Sequence, residues 1–169
     1  MFSIGDKILY PMHGAGIIEK IDTKEVLGVT RDYFILKLAA GNLDVMVPVE
    51  MCEEVGVRHI IEAEDVKEVY DTLKSDSTEM PKNWNRRLRE NMELLKSGNI
   101  LKVAQVVRNL IRFDYEKKLS TGEKKMLNNA RQILESEVAL ATGMDIESTR
   151  TKVENIILEK EMAADREQL

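Results

Sequence analysis

The chain has one cysteine and two histidines in 169 residues, and these shortages close off several kinds of chemistry. Cys52 alone excludes an internal disulfide and a cysteine-only zinc site, a pattern that suits a reducing compartment with Cys52 as a small buried hydrophobe. His13 and His59 stand in different segments, without the paired spacing of a metal site, and neither a phosphate-binding glycine loop nor a serine elbow occurs. The glycines of "HGAG" lack the following helix that phosphate binding needs, so Gly14 and Gly16 read as turn or bulge residues and His13 as a turn residue. Carboxylates are many but scattered, and nothing singles out a catalytic pair. We expect no enzyme, no metal and no cofactor. No apolar run approaches the roughly 20 residues of a membrane span, and "MFSIGDKILYPMHGAG" lacks a basic segment leading into an apolar one. A cytoplasmic protein is the expectation.

What is present is charge, unevenly placed. Apolar residues make up 43% and charged residues 33% of the chain, as in ordinary globular proteins. The net charge of −5 conceals three blocks. Residues 1–81 carry 8 basic and 16 acidic side chains, residues 82–132 carry 13 and 5, and residues 133–169 carry 4 and 9. An acidic start, a basic middle and an acidic end point to an anionic partner for the middle segment and a different partner for the N-terminal part. The plain alternative is a solvated helical surface rich in lysine and arginine.

The first part reads as short strands. "DKILY", "GAGIIEKID", "DYFILKL" and "LDVMVPV" are rich in β-branched and aromatic residues and are separated by turn chemistry. Leu43, Val45 and Val47 alternate with Asp44, Met46 and Pro48, giving that strand an inward and an outward face. Gly41-Asn42 supplies residues suited to a tight hairpin. A small antiparallel sheet or barrel over residues 1–57 follows from this pattern.

From residue 58 onward the period changes to 3.6, beginning with a helix over 62–75 that places Val66, Val69, Tyr70 and Leu73 on one face. "KSDSTEMPKN" interrupts it as a boundary region. The spacing then predicts a helix from Trp84 to Lys96 capped by Asn83, with Gly98 in a left-handed end and Asn99 capping the next. That third helix carries Leu101, Ala104, Val107, Leu110 and Ile111 inward. Ser120 and Glu123 have the spacing of a capping box for a fourth helix ending near Gly143. Asp145 caps a fifth, with Ile146, Val153, Ile156 and Ile157 inward and a frayed "EKEMAADREQL" end.

The single tryptophan opens the basic block, in "MPKNWNRRLR". Arg86, Arg87 and Arg89 crowd the first two turns of its helix, where the dipole disfavours cations by about 0.3–1 kcal/mol each. A bound phosphate would reverse the sign of that effect. Lys124 and Lys125 repeat the arrangement at the start of the fourth helix, and Arg112, Lys117 and Lys118 extend the basic region around the preceding turn. Trp84 itself has two readings. Leu88, Met92 and Leu95 follow it on one stripe, so it can be the outermost core residue. Equally, a ring at a helix start can stack on a base or wedge into a minor groove, and stacking is worth about 1–3 kcal/mol.

"GDKILYPMHGAGIIEKI", "PKNWNRRLREN", "LKSGNILKVAQVVRNLIRFD" and "LSTGEKKMLNNARQILESEVALA" closely resemble the CarD/CdnL family of bacterial RNA polymerase-binding transcription regulators, in register over nearly the whole chain. The resemblance implies an α+β protein: a small Tudor-like antiparallel β domain over 1–57, similar to the polymerase-interacting domain of the transcription-repair coupling factor, then a compact all-α helical domain over 58–169. It implies binding of the RNA polymerase β subunit by the first domain and of promoter DNA, without much sequence reading, by the second. Trp84 takes the place of the family's wedge in the minor groove at the upstream edge of the transcription bubble. Arg86, Arg87, Arg89 and Lys124, with Lys125 beside it, fall at basic DNA-facing positions, and Lys24 and Met46 at positions facing the polymerase. Met46 stands where relatives carry a basic residue, and a methionine forms no ion pair. The implied role is stabilisation of the open promoter complex by a monomer, and the competing role is an RNA- or single-strand-binding module using the same basic patch.

Overall fold

The computed structural model describes residues 1–41 and 43–168. Asn42, one half of the expected Gly41-Asn42 turn, lies outside the described residues. Among those described, five strands precede five α-helices: β1 Lys7–Tyr10, β2 Gly14–Val26, β3 Val29–Leu38, β4 Asp44–Pro48, β5 Arg58–His59, then α1 Val66–Lys74, α2 Trp84–Lys96, α3 Ile100–Lys117, α4 Thr121–Thr142 and α5 Ile146–Glu167. The architecture is α+β, as expected from the switch of hydrophobic period.

The strands form one antiparallel sheet in the order β4-β3-β2-β1-β5. Its long central pair outruns its neighbours: residues beyond Asp22 and Tyr33 pair with each other only, as a two-stranded ribbon. The ribbon closes on Leu27-Gly28, whose φ angles of 53° and 78° match the two positive values of a hairpin turn whose twist fits its strands. Sequence reading missed this turn because leucine is not a residue that favours it. The bulge falls between Ile18 and Lys20 rather than at the glycines. Gly16 is a point of close approach: a Cβ there would lie 2.3 Å from the carbonyl oxygen of Lys37 on β3.

Alternation along the strands splits the sheet into two faces. One carries Ile8, Ile18, Phe34, Leu36 and Val47, which pack with Cys52 and Val57 into a small core of their own. Val47 is fully buried and Val45 partly buried on β4, whereas Leu43, expected on the same face, precedes the strand and is exposed. Cys52 is buried and donates its thiol to the Pro48 carbonyl, and burial raises its pKa. The other face turns Leu9 and Ala15 into the helical core. Strand β5 pairs with β1 just past the expected end of the β part, because an unpaired β1 edge would leave backbone groups without partners.

The helices assemble around α3 and α4, whose Val103, Val106, Val107, Leu110, Ile133, Leu134 and Val138 are almost wholly buried. α1 adds Val66, Val69 and Leu73, and α5 adds Val153 and Ile157. At the start of α3 it is Ile100 that is buried, with Leu101 partly exposed beside it. The expected caps are all present: Asn83, Asn99, Ser120 and Asp145 each accept a backbone N–H of the first turn, and α4 ends on Gly143 with φ 77°. The C-terminal segment expected to fray continues α5 to Glu167. Among the described residues no helix is long and apolar enough to cross a membrane.

Candidate nucleic-acid interface

Helices α2 and α4 begin side by side, and Trp84 lies where they meet. Its side chain is 42% exposed. The indole Nε1 donates to Ser120 Oγ at 2.9 Å, and the ring passes over the first turn of α4, where a Cβ built on Gly122 would touch its Cζ2 at 3.4 Å. The ring is therefore neither fully buried in the core nor free of it. The ring continues the apolar stripe of α2, yet it projects far enough to leave much of its surface in solvent. With its one donor engaged by Ser120, the indole offers a partner hydrocarbon rather than a hydrogen bond. An apolar ring held in one orientation can insert between stacked rings without discriminating their edges, and its ordering cost is met before anything binds.

Ser120 belongs to a continuous polar network. Its hydroxyl donates to Glu123 Oε1 at 3.2 Å and accepts the Glu123 N–H at 3.2 Å. The Glu123 carboxylate receives Nε and Nη2 of Arg87 at 2.7 and 2.9 Å. Arg87 Nη1 donates in turn to the carbonyls of Pro81 and Lys82, and its guanidinium lies 4.9 Å from the Phe113 ring centroid. The hydrogen bonds from Arg87, with its charge and Ser120, hold the Glu123 carboxyl below its usual range, and the same bonds raise the Arg87 pKa.

This network corrects one expected site residue. Arg87 is 8% exposed and its forked charge faces Glu123, so it is not a surface phosphate contact. The reason is visible in helical spacing: Arg87 stands four residues before the buried Asn91 and eight before the buried Leu95, on the inward stripe. Arg86 and Arg89 lie on the opposite side of α2. Arg86 is exposed and holds Glu90 at 3.1 Å, an i,i+4 surface pair of small energetic weight. Arg89, Lys124 and Lys125 are exposed and enter no ion pair among the described residues.

Two further arginines of the basic block are structural. Arg112 donates to the carbonyls of Leu73 and Ser75 at 3.2 and 2.7 Å, and Arg108 to that of Thr72 at 2.9 Å, so together they satisfy the last turn of α1. Asn109 binds Thr78 through both its amide oxygen and its amide nitrogen. With Arg87 holding residues 81 and 82, the segment 75–83 is pinned along its length. The consequence is a fixed entry of the chain into Trp84.

The two positions expected to face a polymerase lie on the sheet. Met46, 40% exposed, sits on edge strand β4 opposite Ile35, which in turn pairs with Lys20. Lys24 pairs with Arg31 four residue pairs further along the ribbon, and alternation puts it on the same face as Met46. Further along the same ribbon, Leu27 stands 98% exposed at the tip, a position that sequence reasoning did not single out. Its signal is an apolar residue before a glycine, between two strands.

Comparison with known proteins covers both halves of the chain. The model described as CarD, C-terminal domain, matches residues 68–154, and that of the CarD-like/TRCF RID domain matches residues 2–61. A relative from Bacillus subtilis (strain 168), "Putative transcription factor YdeB", is 37% identical over 144 residues, which span 85% of this chain and 94% of the relative.

Proposed function

Since the chain belongs to the CarD-like family of transcription regulators, we propose that it acts in transcription by docking its sheet on the RNA polymerase β subunit while Trp84 enters promoter DNA at the upstream edge of the bubble. The observation that carries this reading is the half-exposed indole tethered to Ser120 where α2 and α4 both begin. Two positive helix ends meet there, and Arg86, Arg89, Lys124 and Lys125 are exposed cations within the first two turns of those helices. Phosphates of the backbone would be held by these groups without sequence reading, and the ring would rest in the minor groove.

The mechanism is a difference in affinity. Four cations give only weak, salt-dependent contact with duplex, with dissociation constants of about 10⁻⁴ to 10⁻⁶ M for nonspecific binding. Docking of the sheet on the polymerase raises the effective concentration of the helical part at the promoter to the order of millimolar. A ring gains little from intact duplex, where it must first unstack a step, and more where strands are already parting. Binding the melted form more tightly shifts the equilibrium toward it by that difference, without a chemical step. On the sheet, Lys24 supplies charge, Met46 apolar contact, and the outer edge of β4 backbone groups for pairing with an extended strand.

The test is the lifetime of the open promoter complex, challenged with a competitor, with wild-type and Trp84→Ala protein. A shorter lifetime with folded Trp84→Ala supports the reading. An unchanged lifetime, or tighter binding to single-stranded RNA than to a bubble-containing promoter duplex, refutes it.

A further inference from the structure

We infer that Arg58 is a positioning residue that makes the sheet and the Trp84 site one rigid arm, so that docking at one end delivers the ring to a fixed place at the other. The inference rests on the function proposed above and concerns how its two contacts are coupled.

Arg58 lies on β5, at the edge of the sheet. Its Nη1 and Nη2 donate to the two carboxylate oxygens of Glu137 on α4 at 2.7 and 2.9 Å, and its Nε donates to the carbonyl of Gly98, just past the end of α2, at 3.0 Å. Glu137 is 0% exposed, and its Oε2 also accepts the backbone N–H of Ile61 at 2.9 Å. One guanidinium of the sheet therefore holds α4 directly and α2 through Gly98, two residues past its end, and these are the two helices that carry the ring. α2 begins at Trp84, and Ser120, the cap of α4, holds the indole nitrogen.

The directions of the two helices follow. Both begin at the tryptophan and both reach Arg58 at or toward their far ends, so they run the same way, as two struts. From Trp84 to Lys96 the 13 residues of α2 span about 20 Å, and from Ser120 to Glu137 along α4 the distance is about 25 Å. The struts are cross-linked near the ring by Arg87 and Glu123 and closed at the sheet by Arg58. The path along α4 is helical throughout, and that along α2 ends in Ser97 and Gly98, the two residues after Lys96.

The remaining contact between sheet and helices is mostly apolar: Leu9 and Ala15 enter the helical core, with Met12, Ile60 and Ile61 packed around them. Apolar burial holds surfaces together but sets no angle, because it is non-directional. A planar fork on a buried carboxylate with a third bond to a carbonyl sets one. The Ala15 N–H on Ser136 Oγ, at 2.9 Å, and the Gln132 side-chain amide on the His13 carbonyl, at 3.4 Å, are weaker directional contacts. Glu137 is fully buried and Arg58 half-buried, so loss of the guanidinium would leave a carboxylate without its partner in the interior.

A rigid arm and two tethered modules make different predictions. If the arm is rigid, breaking it leaves each end able to bind its own partner and removes the gain from binding both. The variant is Arg58→Met with Glu137→Gln, which leaves no unpaired buried charge and keeps an acceptor for the Ile61 N–H. Arg58→Lys is the milder second variant, retaining charge on Glu137 but losing the fork. Three quantities are read: affinity for RNA polymerase alone, affinity for a bubble-containing promoter duplex alone, and open-complex lifetime on polymerase. A nitroxide pair at Lys37 and Lys102, both exposed, reports the sheet-to-helix distance, and the burial of Cys52 keeps it out of the labelling.

The expected result is a broadened distance distribution, the two separate affinities within about twofold of wild type, and about a tenfold or greater loss of the lifetime gain, with Arg58→Lys between. A broadened distribution with full lifetime overturns the inference, as does an unbroadened one. Separate affinities that fall along with the lifetime overturn it too, since Arg58 would then only support the fold. Trp84→Ala measured beside these variants separates the failures. A lifetime sensitive to Trp84 but not to Arg58 rejects the rigid arm alone, whereas a lifetime sensitive to neither rejects the proposed function with it.

Discussion

Arg87 reaches from the first turn of α2 to Glu123 in the first turn of α4 with both arms of its fork, and this buried pair sits beneath the exposed Trp84. It joins the two helix starts that frame the ring. Removing one partner strands a charge in the interior, so Arg87→Ala should cost about 3–5 kcal/mol in urea unfolding. Arg89→Ala, on the solvent side of the same helix, should stay within about 0.5 kcal/mol of wild type.

The same two arginines should separate in DNA binding. Arg89→Ala should weaken affinity for all promoter sequences alike and lower the slope of log affinity against log salt by about 1, as loss of one phosphate contact does. In Arg87→Ala, measured below its unfolding temperature, the slope should stay the same. A titration of bubble duplex at three salt concentrations distinguishes them.

Trp84→Ala should destabilise by clearly less than the roughly 3–5 kcal/mol of a fully buried aromatic, because the ring is 42% exposed. Trp84→Phe keeps an apolar ring but loses the bond to Ser120 Oγ. It should retain most of the stability and lose part of the open-complex lifetime, since a freely turning ring must be ordered on binding. Thermal melts beside lifetime measurements check both.

Acid should act through Glu123. Its carboxyl is held low in the folded state by the Arg87 hydrogen bonds and charge, so its contribution is fully present above the ordinary carboxylate pKa. That contribution is lost as pH falls through the lowered value. Glu135 works in the opposite sense, since burial raises its pKa and protonation in the folded state is favoured. Wild-type stability should fall below about pH 4, and Glu123→Gln, already weaker at neutral pH, should show a shallower decline there. Chemical denaturation at several pH values measures it.

Leu27 carries a φ of 53° with its side chain almost wholly in solvent. A left-handed conformation costs a residue with a Cβ about 1–2 kcal/mol, so Leu27→Asn or Leu27→Gly should raise the melting temperature, by an amount corresponding to about 1 kcal/mol. A lower melting temperature would show that the leucine contributes packing within the free protein.

Local chemistry made most of the elements legible. The caps at Asn83, Asn99, Ser120 and Asp145 and the glycine after α4 could be read because a helix end is satisfied by residues within three or four positions of it. The Leu27-Gly28 turn could not, because there the pairing of the long strands β2 and β3 overrides the preference of leucine. Among the site residues, Trp84 and the exposed Arg86, Arg89, Lys124 and Lys125 stood out by type and position, while the fate of Arg87 depended on a carboxylate 36 residues away.

The sequence by itself determined the α+β division, the helix caps and the segregation of charge, since each depends on neighbours along the chain; the start of α1 at Val66 rather than residue 62 and the continuation of α5 to Glu167 it did not. Tertiary structure alone decided which basic residues are exposed and which are internal, that Trp84 is held by Ser120, and that Arg58 of the sheet binds Glu137 on α4 and the Gly98 carbonyl just after α2. The physical reason is common to all three. A charge or a ring takes its role from the partner within about 3 Å of it, and those partners come from segments far apart in the chain that meet only when the sheet and helices pack.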